Sequence, residues 1–411
     1  MASLGHPIVY FGNDWNADNR TSSHHVAEQL ARKDTVLYVE AGGVRTPKAN
    51  SHDTTRMVRK LIKGLKGIRE VEPNLHVVSL LQVPFHRNRQ INRLNRLLAE
   101  RTIRPFLGRQ REPRPILWFM NPRLHELVGR MGEILSVYYC VDDWSSLPGV
   151  DRDAVRRMDE EATRKADIVF ATASSLVEEK LKLNPNSHLS PHGVDFELFA
   201  EPSGETPKAL SGIARPIIGY YGLMESWMDM ALVERIARSH PEWSLVLIGR
   251  VAVPTERFAG LPNVHFLGHV PYQVLPSYAR CFDVGIIPFR VNQLIHHCNP
   301  KKLPEYLASG FPVVSVRIPE TEKFKDVVLL AENHDEFVAQ IERAREMRGP
   351  EEAARRRESV RGLSWTSRGD DLRRLVGETL RGKASGRNSP AQQRTGSRKS
   401  WPRFREAEHE R

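Results

Sequence analysis

Residues 296–314 read HHCNPKKLPEYLASGFPVV, and the order of residue types in this stretch decides the fold class. A polar loop meets a helix near Pro300–Lys302, the helix ends at Gly310, and a buried apolar strand starts at once. A helix that feeds a buried strand with almost no connection is one unit of an alternating α/β chain. The same unit recurs on either side of it. Short apolar runs at 217–221, 244–249, 264–267, 284–288, 312–316 and 327–330 read as strands, with helices near 229–240, 272–280, 302–309 and 335–347 between them. Earlier runs at 8–11, 35–39, 75–79, 116–119, 135–139 and 168–171 alternate with helices at 21–32, 88–107, 151–166 and 174–182.

Strands alternating with helices imply parallel sheets covered on both faces. Two successive sets imply two doubly wound, Rossmann-like α/β domains, divided as 1–195 and 216–363 with a linker at 196–215. Ligands of such sheets bind at the carboxyl ends of the strands, so a cleft between two facing domains is the expected site. No GxGxxG follows the first strand and no GxxxxGK[ST] occurs, which disfavours a dinucleotide oxidoreductase and a P-loop enzyme.

The 411 residues carry 61 Lys+Arg against 50 Asp+Glu, but the surplus is local. Residues 45–114 hold 17 basic and five acidic side chains, a net of +12, whereas 115–381 are net negative. Within the basic segment, 55–68 (TRMVRKLIKGLKGI) sets Met57, Val58, Leu61, Ile62, Leu65 and Ile68 at helical spacing against Arg56, Arg59, Lys60, Lys63 and Lys66. Such a helix lies on an anionic membrane surface or packs its stripe on its own domain. The tail 382–411, rich in Ser, Gly, Arg and Gln without an apolar period, reads as disordered. No motif for specific nucleic-acid recognition accompanies either segment. There is no signal-peptide pattern and no run of 18 apolar residues, so a cytoplasmic protein, peripheral at the inner face of the plasma membrane, is expected. Cys140, Cys281 and Cys298 are too few and scattered for a disulfide framework, and His296-His297-Cys298 are too crowded to turn to one ion, so no metal and no cofactor is expected.

Four strand-end loops carry polar groups. After the first strand come Asp14, Trp15 and Arg20, more than the cap supplied by Thr21 or Ser22 requires. Asp142 and Asp143, followed by Trp144, are suited to accept hydroxyls of a sugar, or one of them caps a turn. Gly222 lets backbone approach a phosphate, and Asp229 suits a helix cap. In the fourth loop, Lys302 and the helix N-terminus suit a diphosphate, and Glu305 sits where a carboxylate can take two ribose hydroxyls.

These residues together resemble the GT-B-fold, family-4-like (group 1) retaining glycosyltransferases. The likeness rests on Pro191-His192-Gly193-Val194-Asp195 with Phe199 and on PKKLPEYLASGFPVVS at 300–315, and it covers roughly residues 7–380. The stretches 218–249 and 138–149 (YYCVDDWSSLPG) look closest to the teichuronic-acid and exopolysaccharide branch. The resemblance implies transfer of a sugar from a nucleotide-sugar, with retention and without a metal, to a hydroxyl of a lipid-linked or polysaccharide acceptor in cell-surface polysaccharide biosynthesis. The family's Glu-x7-Glu pair falls on His297 and Glu305, so an imidazole stands where a carboxylate touches the donor sugar, with Asn299 nearby to take over sugar contacts. A basic pair usual after the first strand of the second domain is missing, and Arg250 and Lys302 are its replacements. The resemblance thus makes His297, Asp143 and Lys302 the candidate catalytic groups. Donor binding falls to Glu305, Lys302, Asn299, Gly222 and Arg250; acceptor binding falls to Asp14, Trp15, Arg20, Asp142 and Asp143. It also implies that 364–381, amphipathic through Trp365, Leu372, Leu375 and Leu380, crosses back to the first domain. The competing readings are a catalytically inactive GT-B scaffold and a sugar-nucleotide epimerase.

Overall fold

The computed structural model describes residues 2–17, 20–41, 67–80, 89–109, 114–201 and 205–385. The expected basic helix at 55–68 falls outside them except for its last two residues. Among the described residues no helix is long and apolar enough to cross a membrane.

The first sheet comprises β1 (Ile8–Gly12), β2 (Val36–Glu40), β3 (Arg69–Glu72), β4 (Leu75–Ser79), β5 (Ile116–Phe119), β6 (Leu135–Cys140), β7 (Ile168–Ala171) and β8 (Ser187–Leu189). Their order across the sheet is 3-4-2-1-5-6-7-8, and every pairing is parallel except the β3–β4 hairpin. Strands β1, β5, β6 and β7 are buried along their whole length, which is why they read as unbroken apolar runs. The sheet's edge strand β3, with sequence REVE, is largely exposed and carries no apolar alternation. Helix α1 (Ser22–Ala31) follows β1, and its N-terminus opens beside the strand's carboxyl end.

The second sheet holds β9 (Ile217–Tyr221), β10 (Ser244–Ile248), β11 (Val264–Gly268), β12 (Val284–Ile287), β13 (Val313–Val316) and β14 (Leu329–Ala331) in the order 11-10-9-12-13-14, all parallel. The direction of winding reverses next to β1 in the first sheet and next to β9 in the second. Loops leaving a strand at such a reversal diverge and open a crevice. The β1 and β9 loops are thereby placed to build a site.

Of the segment 196–215, expected as a linker, the described residues are anchored on the second half at three buried side chains. Phe196 and Phe199 on the short helix Phe196–Ala200, together with Leu210, belong to the core of the second half. Two aromatic residues three apart supply enough apolar area to hold this stretch down. The final helix, Trp365–Ala384, packs on α1 and contributes Trp365, Leu372 and Val376 to the first half's core. It runs past residue 381, so 382–384 are helical rather than part of a loose tail; Lys383 Nζ donates to Asp167 Oδ1 at 2.6 Å and pins that end.

The chain passes between the halves twice, at adjacent points. Val194 N donates to Leu363 O at 2.9 Å and Trp365 N donates to Val194 O at 3.2 Å. A Cβ on Gly193 would lie 2.6 Å from the Trp365 ring, so only glycine allows this approach. The glycine of the PHGVD motif is explained by that contact.

Candidate active site

An open cavity lies between the two halves, with about 740 Å³ of space continuous with solvent. Arg20 reaches it from the first half; Gly222, Arg250, Tyr272, Lys301, Lys302 and Glu305 line it from the second. Five of the sequence-predicted residues, Arg20, Gly222, Arg250, Lys302 and Glu305, are thus brought to one place. Lys301, Tyr221 and Tyr272 were not anticipated. Lys301 adjoins an expected residue, but nothing in the local pattern around Tyr272 marks a site.

The floor is backbone. Gly222 has φ +139° and Gly249 φ +132°, conformations that L side chains rarely adopt, and a Cβ on Gly249 would lie 2.1 Å from the Gly222 carbonyl oxygen. Two strand-end turns therefore touch directly, leaving room above them.

Glu305 sits in the first turn of the helix Lys302–Ser309 and is 3% exposed. Its carboxylate accepts hydrogen bonds from the Tyr221 hydroxyl at 3.0 Å and the Tyr272 hydroxyl at 3.2 Å, with Lys301 Nζ at 3.7 Å. Lys301 also donates to the Arg20 carbonyl at 2.9 Å, tying the two halves together across the cavity. Lys302 differs from its neighbour. Its ammonium stands 5.1 Å over the Tyr220 ring and 4.8 Å over the Phe289 ring, and among the described residues it has no ion pair or hydrogen bond. Burial lowers the Lys302 pKa, so the cation is held where an anion would relieve its desolvation. Arg250 is exposed at the rim, also without an ion pair among the described residues.

The remaining predicted residues lie elsewhere. Trp15 is 9% exposed, packed edge-on to Tyr38 at 4.9 Å with the Arg20 guanidinium 5.0 Å above it. It is a core ring supporting Arg20 rather than a free face for a sugar. Asp14 is exposed at the β1 end, where its Oδ1 accepts from Asn16 N at 3.0 Å. His297 faces the first half: its Nδ1 is 3.0 Å from Ser175 Oγ. Asn299 donates from Nδ2 to Thr172 O at 2.8 Å and to Glu320 Oε2 at 3.2 Å. Neither lines the cavity, because each side chain is engaged by a strand-end loop of the other half.

Asp142 and Asp143 have opposite fates. Asp143 caps the turn Trp144–Ser146, accepting from Ser145 N at 3.1 Å, Ser145 Oγ at 2.7 Å and Ser146 Oγ at 2.5 Å. Burial alone would raise its pKa, but these hydrogen bonds hold it below the usual carboxylate range. That makes Asp143 a weak base. Asp142, half-buried and next to the Asp143 charge, is pushed up to about 7, desolvation being the larger cause.

The Asp142 shift fixes a pH effect on stability. The folded state keeps the proton longer than the unfolded chain, whose aspartate titrates near 3.8. Asp142 therefore adds no penalty below that value, a growing one as pH rises from it to about 7, and a constant one above. Thermal melting across this window should show a decline that Asp142→Asn flattens; parallel profiles for the two proteins would refute it.

Residues 215–346 match the sequence model of a family described as glycosyl transferases group 1. The matched stretch contains Gly222, Arg250, Lys302 and Glu305. TuaH of Bacillus subtilis (strain 168), by name a teichuronic acid biosynthesis glycosyltransferase, is 26% identical over 226 residues, 51% of this chain and 57% of its own. The chain thus spans little more than half the length of that curated relative.

Solved structures share the fold at low identity. Sucrose-phosphate synthase from Thermosynechococcus elongatus superposes with a TM-score of 0.67 at 15% identity, over 92% of this chain and 100% of the other. Anabaena HepE in complex with UDP and glucose gives 0.63 at 12%, over 91% and 100%. An E. coli trehalose-6-phosphate structure bound with UDP-2-fluoro glucose also gives 0.63 at 12%, over 91% and 99%. The fold is GT-B.

Proposed function

We propose that the protein is a glycosyltransferase that moves a sugar from a nucleotide-sugar to a hydroxyl of a lipid-linked or polysaccharide acceptor, with retention, in cell-surface polysaccharide biosynthesis. One observation carries the reading: Lys302, a partly buried cation without an ion pair among the described residues, shares a cavity with the buried carboxylate Glu305 and a rim arginine, Arg250. A nucleoside diphosphate ester has the complementary groups, a diol for the carboxylate and a diphosphate for the cations.

The two glycines Gly222 and Gly249 leave the diphosphate access to backbone. Lys302 and Arg250 neutralise the charge that grows on the leaving diphosphate, so no metal is required. Arg20, which reaches the cavity from the first half, orients the acceptor hydroxyl, and proximity does the rest. The names of TuaH and of the HepE complex agree with a UDP-sugar donor and a cell-surface product.

Thermal shift with UDP, GDP and their sugars tests the donor site, followed by a donor screen read by mass spectrometry. A stabilising shift and a transferred sugar are expected, unaffected by EDTA. No shift with any nucleotide would favour an inactive scaffold. Glu305→Gln should weaken nucleotide binding about 10–100-fold, since hydrogen bonds to a charged group contribute about 1.5–3 kcal/mol. Calorimetry with equal affinity for both proteins would remove Glu305 from the site.

A membrane-facing surface belongs to the same proposal. The helix Arg89–Arg109 exposes Leu94 (45%) and Leu97 (57%) beside Arg93, Arg101 and Arg104. With the basic segment 55–68 this suits anionic lipid. Salt-sensitive flotation with anionic but not neutral vesicles is the expected result.

A further inference from the structure

The helix Ser174–Leu181 begins the loop after β7 with an uncapped N-terminus: its N-cap residue is Ala173, which has no side chain to offer its first N–H groups. The cap comes from the other half. Glu320 Oε1 accepts from Ser174 N at 2.8 Å, and the Glu320 side chain is almost fully buried. Lys323 Nζ, paired with Glu320 at 2.6 Å, donates to Ser174 Oγ at 2.7 Å. Asn299 closes the set by donating to both Glu320 Oε2 and Thr172 O. Beside it, His297 contacts Ser175 Oγ.

We infer that Glu320, Asn299 and Lys323 form a clasp that closes the two halves over the cavity and couples that closure to the donor loop. Three facts support the coupling. Every member lies in the second half, and each reaches Thr172 or Ser174 of the first. Asn299 stands three residues before Lys302 in one loop, so opening the clasp frees the segment that carries the cation. A helix start left to an alanine gains a protein acceptor only when the halves meet, whereas apart from Glu320 the Ser174 N–H turns to water. Glu320 and Asn299 are positioning residues: they touch no cavity atom and act through the loop. The coupling to a donor rests on the glycosyltransferase reading; the clasp itself does not.

The test uses the full chain with Glu320→Ala, Asn299→Ala and Glu320→Ala combined with Ala173→Asp. The aspartate gives the helix a cap of its own without rebuilding the bridge. Amide hydrogen exchange at 174–175 should rise in Glu320→Ala and return with Ala173→Asp. Small-angle scattering should show a more expanded particle in all three variants, and UDP or GDP affinity should fall at least about fivefold in each, the usual scale of coupling between sites. If Ala173→Asp restores compactness and affinity together with amide protection, Glu320 is only a helix cap and the inference fails. Unchanged scattering in Glu320→Ala also overturns it. Should the wild type bind neither nucleotide, the donor reading falls, while scattering and exchange still decide the clasp.

Discussion

Replacing Lys302 by alanine is expected to cut turnover about 10²–10³-fold, the usual cost of removing a donor aimed at developing negative charge. The ammonium lies over the rings of Tyr220 and Phe289 without an ion pair among the described residues, so the fold derives little from it. Its Cε and Nζ instead sit about where a side chain on Gly222 would be, at 3.2 and 3.4 Å from a built Cβ. The cation is therefore held against the backbone turn that would take the diphosphate. Thermal melting of Lys302→Ala without ligand should match the wild type, whereas kcat should collapse with a smaller change in KM. Wild-type turnover in the variant would contradict the role, and a large loss of melting temperature would mean that Lys302 is structural.

Arg373→Met is expected to cost about 3–5 kcal/mol of stability, because it strands a buried carboxylate. Arg373 Nε donates to Asp34 Oδ2 at 3.2 Å, with the side chains 5% and 0% exposed. The same guanidinium donates to Gln29 O at 2.9 Å and Leu30 O at 3.0 Å, finishing the end of α1. Asp34 also accepts from Ser3 Oγ at 2.7 Å and Leu4 N at 2.6 Å. One ion pair thus ties the last helix, the end of α1 and the N-terminal segment. Urea unfolding measures the loss, and adding Asp34→Asn should recover part of it by removing the stranded charge. A single variant within about 0.5 kcal/mol of wild type, the range of ordinary surface changes, would show that the pair contributes nothing.

The sequence revealed most of the two sheets and about half of the candidate site, for separate reasons. Strands covered on both faces announce themselves as apolar runs, so β1, β5, β6 and β7 were legible residue by residue. Edge strand β3 was missed because REVE faces solvent and its pairing comes from the turn at Asn74, which has φ 64°. In the site, Glu305 and Lys302 were legible from their place at a helix start beside a glycine-bearing turn. The misplacements share one cause. His297, Asn299 and Asp143 have side chains that suit sugar hydroxyls, and the same donors and acceptors suit backbone and serine hydroxyls of the protein itself. Only the folded structure shows which partner each one meets. Trp15 misled for the opposite reason, since nothing in a loop sequence reveals a ring folded back on Tyr38 and His24. Glu320 had a faint signal that could have been used: a clear helix beginning at Ser174 with alanine in the capping position asks for a cap from elsewhere.

The paired crossings at Val194 and Ser364 have a consequence for how this architecture can be rebuilt. The whole second half enters and leaves the first through two strands joined by hydrogen bonds at 2.9 and 3.2 Å, so its ends meet at one seam. In topological terms it is an insertion, a cassette spliced into a host that supplies both chain ends of the described structure. A replacement cassette needs to keep only that seam, with a glycine for the tryptophan to cover and a carboxylate to meet Ser174. Exchange of cassettes between relatives would then leave the packing of the host half undisturbed.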